Sequence, residues 1–123
     1  MSKLFFALGS GLSLLGVVFG AFGAHALRSK LTPEMLETFE IGVRYQMYHS
    51  LGMIAAAWAA SQWQNQFTAA SGWCFFAGIL IFSGSLYILS LTGIRWLGAI
   101  TPIGGLAFIV GWGCLTIAAI RGT

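Results

Sequence analysis

The chain has 123 residues, of which 58% are hydrophobic and 7% charged, with a formal net charge of +3. About a quarter of the residues in an ordinary soluble domain are charged, so this composition excludes a soluble globule and predicts an integral membrane protein. The six basic residues are too few and too scattered for a nucleic-acid-binding surface.

The first predicted span covers about residues 4–26 and carries small residues along one helical stripe. They are Gly9, Ser13, Gly16, Gly20 and Gly23, spaced alternately four and three apart. Small residues let a second helix approach closely in lipid, so we predict that this stripe packs against another helix. A basic start before an apolar run also occurs in signal peptides, but this run is longer than a signal core and is interpreted as a retained anchor.

The main charged stretch of the chain follows this span. Thr32 as a cap and Pro33 in the first turn predict the start of a helix. We predict a short amphipathic helix over about residues 33–44, which lies in the membrane interface or runs directly into the second span. Glu40 and Arg44 are four residues apart in it and predict a weak surface ion pair.

Three further spans are predicted over about residues 45–61, 68–91 and 97–120, joined by short turns. Small residues again mark packing faces, and the clearest are Gly52, Gly78, Gly104 and Gly111. Pro102 predicts a kink near the start of the fourth span. The predicted fold class is therefore an all-α membrane protein, an antiparallel four-helix transmembrane bundle in a single domain over residues 1–123.

Basic residues predict the orientation of this bundle. The first and third loops carry Arg28, Lys30, Arg44 and Arg95, whereas the opposite side carries Lys3 and Arg121. The excess of basic residues predicts that these two loops face the cytoplasm and that both termini lie outside.

Four motifs together resemble one family. They are GAFGAHAL at 20–27, Tyr45-Gln46 with His49 after it, FSGSLY at 82–87, and WLGAITPIGG at 96–105. The combination is similar to the small bacterial membrane-protein family known as domain of unknown function 423, which is related to an uncharacterised eukaryotic small transmembrane protein. The resemblance covers nearly the whole chain and implies a four-span protein of the bacterial plasma (inner) membrane. It carries no established activity, substrate or catalytic residue.

Polar side chains within the spans and in the amphipathic helix are the candidate functional residues. They are His25, His49, Gln46, Glu40, Arg44, Ser83, Ser85 and Tyr87. His25 ends the first span and His49 begins the second, so we expect both on the same side of the membrane. Such a pair of imidazoles suits haem or a transition metal, a proton-linked switch, or plain hydrogen-bonded packing, and we favour packing. No cofactor or metal is predicted, since no carboxylate or thiol completes a site.

Three classes of function stay open. The preferred hypothesis is a non-enzymatic module that acts by packing with itself or with a larger membrane complex, in contact with the lipid bilayer. The alternative is a small oligomeric transporter or channel, and a haem or metal-binding membrane protein comes third. No catalytic residue is predicted. A polar cavity that reaches mid-membrane would favour transport, whereas a solid core would favour the module.

Overall fold

A computed structural model describes residues 1–122 of the chain, which form four long helices and no strand. These helices are α1 (Ser2–Leu27), α2 (Pro33–Gln62), α3 (Gln66–Thr92) and α4 (Arg95–Arg121). Helices α1, α3 and α4 are long and apolar enough to cross a membrane. The all-helical prediction is confirmed at this level.

Helix α2 is continuous from the predicted interfacial segment to the end of the predicted second span. The Thr32 side chain accepts a hydrogen bond from the Met35 amide at 3.2 Å, and Pro33 occupies the first turn. The helix then continues without a break to Gln62. Residues 33–44 are therefore its first part and do not form a separate helix, because they pack alongside the last third of α1.

Contacts between α1 and α2 fix how these two helices lie. The Ser2 hydroxyl donates to the Ala57 carbonyl at 2.8 Å near one end of the pair. At the other end, a Cβ on Gly23 would lie 3.4 Å from the ring of Phe39. The start of α1 thus contacts the end of α2, and the end of α1 contacts the start of α2. The two helices therefore run in opposite directions over nearly the whole length of α1.

Helix α2 lies between α1 and α3, and α4 packs mainly against α3. Gly52 of α2 lies against the ring of Phe75, and Gly111 of α4 lies against another edge of the same ring. Phe75 is fully buried and belongs to an aromatic and aliphatic core with Phe5 and Met53. The core therefore sits where α2, α3 and α4 meet the first turns of α1.

The closest helix approaches occur at glycines. A Cβ on Gly104 would overlap the backbone of Phe82 in α3, and one on Gly9 would lie 2.7 Å from the Ser50 carbonyl oxygen. Backbone atoms cannot move aside as a flexible side chain does, so these two positions exclude larger residues. The other predicted packing residues also contact neighbouring helices in this structure: Ser13, Gly16, Gly20, Gly23, Gly52, Gly78 and Gly111.

Irregular turns interrupt the ideal helix at three places. One π-helical turn lies in α1 at Phe19–Gly23, and a second lies in α3 at Ile79–Ser83. Helix α4 begins with a 3₁₀ turn at Arg95–Ala99 before its α-helical part starts at Thr101. Pro102 therefore lies in the first α-helical turn, directly after the 3₁₀ turn, where its missing amide costs no hydrogen bond.

Candidate functional site

An apolar pocket of about 500 Å³ lies between α2, α3 and α4. It is lined by Tyr45 and His49 of α2, Phe82 of α3, and Pro102, Gly105, Leu106, Phe108, Ile109 and Trp112 of α4. The pocket opens to the surface where α2 and α4 diverge, because Leu106 and Ile109 on its rim are 60% and 69% exposed. The pocket wall includes Phe82, from the π-helical turn of α3, and Pro102, from the first turn of the α-helical part of α4. Turns of the π type occur often at functional sites.

His49 is the most polar side chain of the pocket wall, and both of its ring nitrogens are engaged. Its Nδ1 lies 2.8 Å from the Tyr45 carbonyl oxygen, and the Trp112 indole N–H donates to its Nε2 at 3.0 Å. Nε2 must therefore hold a lone pair, and Nδ1 must carry the proton. His49 is a neutral imidazole in this arrangement. Its ring stacks on Phe108 with centroids 3.5 Å apart and planes 7° apart.

The two histidines do not form a common site. Gly23, two residues before His25, lies against Phe39, whereas Ser13 bonds to Ser50, the neighbour of His49. Gly23 and Ser13 are ten residues apart in α1, so the contacts near His25 and near His49 are separated by about 15 Å along the helix. His25 is also exposed at the end of α1, so the expected juxtaposition is wrong. The sequence argument started α2 near residue 45, but the helix begins at Pro33 and carries His49 far inside the bundle.

This geometry leaves no evident place for the haem or metal that the histidines suggested. Neither ring nitrogen of His49 has a free lone pair, which a metal ligand requires. Within residues 1–122, no three histidine, cysteine or acidic side chains come together in a group that could hold a metal ion.

Gln46 joins three helices through its side-chain amide. Its Nε2 donates to the Leu12 carbonyl of α1 at 2.7 Å, and its Oε1 accepts from the Tyr87 hydroxyl of α3 at 2.6 Å. Gln46 is only 2% exposed. A buried amide that is satisfied on both sides fixes the relative position of the helices it joins.

The candidate serines bond to neighbouring helices. The Ser83 hydroxyl donates to the Gly42 carbonyl of α2 at 2.6 Å, and Ser85 lies 2.6 Å from the Thr101 hydroxyl of α4. No buried side-chain nitrogen or oxygen in the described part of the chain lacks a hydrogen-bond partner. These polar side chains therefore hold the bundle together and do not line an open polar path.

Glu40 and Arg44 lie on the exposed side of α2. No ion pair joins them within residues 1–122, so the predicted pair is absent there. Val43, beside Arg44, contacts Gly20, which is seven residues before the end of α1 at Leu27. Arg44 thus lies about 10 Å inside the end of α1.

Sequence reasoning missed the role of Trp112. Its indole N–H needs an acceptor, and within an apolar band few are available. That requirement is the signal that points from Trp112 to His49. The π-helical turn that presents Phe82 to the pocket has no comparable signal in the sequence.

Comparison with known proteins gives consistent matches. The family described as "Protein of unknown function (DUF423)" matches residues 19–105. The chain is 48% identical over 120 residues to the UPF0382 membrane protein YwdK of Bacillus subtilis, covering 97% of this chain and 98% of that protein. It is 49% identical over 119 residues to the UPF0382 membrane protein SH2409 of Staphylococcus haemolyticus, covering 97% of each. No solved structure matches the chain.

Proposed function

We propose that this chain, which belongs to the DUF423 family, is a four-span protein of the bacterial plasma membrane that works as a non-enzymatic binding module. Its pocket between α2 and α4 receives an apolar group from the bilayer. The observation that carries this proposal is the pocket itself, which has room for such a group, aromatic and aliphatic walls, and an opening at the surface.

The side-by-side packing of the helices supports four crossings in alternating directions. Helix α2 runs along nearly the whole of α1, which is apolar enough to span. Its polar residues Gln46, His49 and Ser50 lower its hydropathy, but all three are buried and hydrogen-bonded within the protein. A helix of 30 residues is about 45 Å long, which exceeds the roughly 30 Å of hydrocarbon. Its first turns, around Glu34 and Glu37, then extend to the membrane boundary.

The exterior also suits lipid. Phe22 of α1 is 72% exposed, and Ile109 and Ile120 of α4 are 69% and 78% exposed. Apolar surface of this extent is stable against acyl chains but not against water. The pocket opening therefore faces the hydrocarbon region, and the molecules that bind in it come from within the bilayer.

The satisfied polar interior supports a binding module over an enzyme or a transporter. Catalysis and ion transport both need polar atoms that are free to contact a substrate. Gln46, Ser83 and Ser85 bond to neighbouring helices instead, and both nitrogens of His49 are occupied. The pocket between α2 and α4 is apolar, and this favours a binding module over the transporter alternative.

Filling the pocket tests the proposed function. Gly105 lines the pocket, and a Cβ there would meet nothing nearer than 3.8 Å, so Gly105→Phe places a ring in the cavity. Gly113 lies on the same helix with nothing within 4 Å, so Gly113→Phe adds the same ring outside the pocket. Native mass spectrometry from mild detergent counts the apolar molecules that stay bound.

We expect the wild type and Gly113→Phe to retain a bound apolar molecule and Gly105→Phe to lose it. The proposal would be contradicted if all three proteins retained the bound apolar molecule at the same level. It would also be contradicted by a wild type that carries no apolar molecule out of the membrane.

A further inference from the structure

The occupant of the pocket is suggested by a charge at its border. Arg44 is exposed on α2 and directly precedes Tyr45, whose ring lines the pocket. Tyr48, one turn further along the same exposed side, packs its ring against Tyr45 with centroids 5.6 Å apart. The face that carries Arg44 is therefore continuous with the rim of the apolar pocket.

Arg44 also lies at a level from which its long side chain can extend towards the phosphates of the lipid head groups. It is about 10 Å inside the end of α1, and no glutamate in the described residues pairs with it. A guanidinium within the apolar band is stable only if its head reaches phosphates or an anionic partner. Arginine binds phosphate oxygens through two parallel N–H donors, which gives it a preference for such groups.

Three of the other basic residues lie at the same end of the molecule as Arg44. Arg28 and Lys30 are in the loop between α1 and α2, and Arg95 is the first residue of α4. On α4 the pocket begins at Pro102 and extends to Trp112, away from this basic end. A molecule that fits both features has an anionic head at the basic end and an apolar tail that points towards the membrane centre.

We propose that the pocket holds an acyl chain of an anionic phospholipid whose phosphate is bound by Arg44. This inference rests on the proposed function, because it identifies what enters the pocket. The chain lies against the rings of Phe82 and Phe108, and the phosphate oxygens accept hydrogen bonds from the Arg44 guanidinium. The lipid comes from the leaflet that faces the loop between α1 and α2.

The test uses the full chain in bilayers that contain equal amounts of phosphatidylglycerol and phosphatidylcholine with identical acyl chains. After mild detergent extraction, native mass spectrometry counts each retained lipid. Both lipids carry a phosphate, but in phosphatidylcholine the choline ammonium offsets its charge and repels a guanidinium. We therefore expect the wild type to retain the anionic lipid about fivefold over the zwitterionic one, as for one arginine near an anionic head group. Arg44→Gln is expected to retain the two lipids equally, and Arg44→Lys to keep most of the preference.

Arg121→Gln is the matched control. Arg121 lies at the opposite end of the bundle, where its guanidinium sits 5.5 Å from the centre of the Phe67 ring. Its replacement removes the same charge from the chain, so the lipid preference is expected to persist.

The outcomes separate this inference from the proposed function. Equal retention of both lipids by the wild type, abolished by Gly105→Phe, would overturn the anionic head group and leave the apolar pocket intact. A preference for the anionic lipid that survives Arg44→Gln would overturn the binding of the phosphate by Arg44. A lipid-free dimer that Gly105→Phe dissociates would identify a second copy as the occupant and overturn the lipid. If Gly105→Phe retains as many lipid molecules as the wild type, the pocket is not the site at which lipid binds.

Discussion

At the scale of single residues, the buried polar side chains matter because lipid offers them no replacement partner. In a bilayer each unsatisfied polar group costs free energy, so Gln46, Tyr87 and His49 form their hydrogen bonds inside the protein. Interhelical bonds of this kind contribute about 0.6 kcal/mol on average and at most about 1.7 kcal/mol in a measured membrane bundle. These residues therefore select one helix arrangement more than they supply stability.

The pair formed by Gln46 and Tyr87 can be measured with a double-mutant cycle. We expect Gln46→Leu to destabilise the bundle more than Tyr87→Phe does, because it removes the bond to Leu12 as well. The coupling energy between the two substitutions is expected to be about 0.6–1.7 kcal/mol. Denaturant-driven unfolding in micelles gives these free energies.

A control for this cycle is Thr116→Val. The Thr116 hydroxyl is exposed and donates to the Trp112 carbonyl of its own helix at 2.9 Å, so its loss should change the unfolding free energy little. A coupling energy of zero between Gln46 and Tyr87 would contradict the three-helix connection.

The protonation of His49 gives a second residue-scale prediction. Because Trp112 donates to Nε2, we expect a neutral ring with the proton on Nδ1 at pH 7. Nitrogen NMR of the histidine-labelled protein distinguishes the two neutral tautomers and the imidazolium. Trp112→Phe removes the donor and is expected to shift the Nε2 resonance, whereas Trp96→Phe, at the other end of α4, is expected to leave it unchanged. A proton on Nε2 in the wild type would contradict the assignment.

At the scale of helices, part of the structure could be predicted from spacing and part could not. The steps of four and three between Gly9, Ser13, Gly16, Gly20 and Gly23 place them on one stripe, and in the structure each of them contacts α2 or lies beside it. The sequence left open whether residues 33–44 lie in the interface or run directly into the second span, because this charged segment looks like a surface segment until its packing against α1 is known. Placing the start of the second span near residue 45 also misplaced His49.

The close approach of α3 and α4 gives the prediction at this scale. Gly104→Ala places a methyl group against the backbone of Phe82, and the two helices must separate to accept it. We expect a loss of about 1–3 kcal/mol of stability, as for other overpacked sites. Gly113→Ala, on the open side of the same helix, is expected to be neutral or slightly stabilising. Thermal unfolding in detergent compares the two, and equal midpoints would show that the helices are not held at this glycine.

At the scale of the whole molecule, the arrangement depends on whether α2 crosses the membrane. The apolar helices α1, α3 and α4 can each span, but α2 is the helix that composition leaves in doubt. Its polar residues face its neighbours, and its exposed side carries both Arg44 and apolar residues such as Leu51. The mean hydropathy of a helix counts all of its side chains, as if each were exposed to lipid. Packing against other helices removes some of these side chains from contact with lipid.

Labelling of two exposed positions at opposite ends of α2 tests whether this helix crosses the membrane. Ser29 lies in the loop before the helix and Gln64 lies in the turn after it, and both are exposed. In a chain with Cys74 and Cys114 replaced by alanine, we expect Gln64→Cys to react with a membrane-impermeant maleimide on intact cells. Ser29→Cys is expected to react only after the membrane is permeabilised, because the basic residues predict that this loop faces the cytoplasm. The reverse pattern would invert the orientation and keep four spans. Labelling of both cysteines from one side would mean that α2 does not cross, and the pocket between α2 and α4 would then not lie within the bilayer.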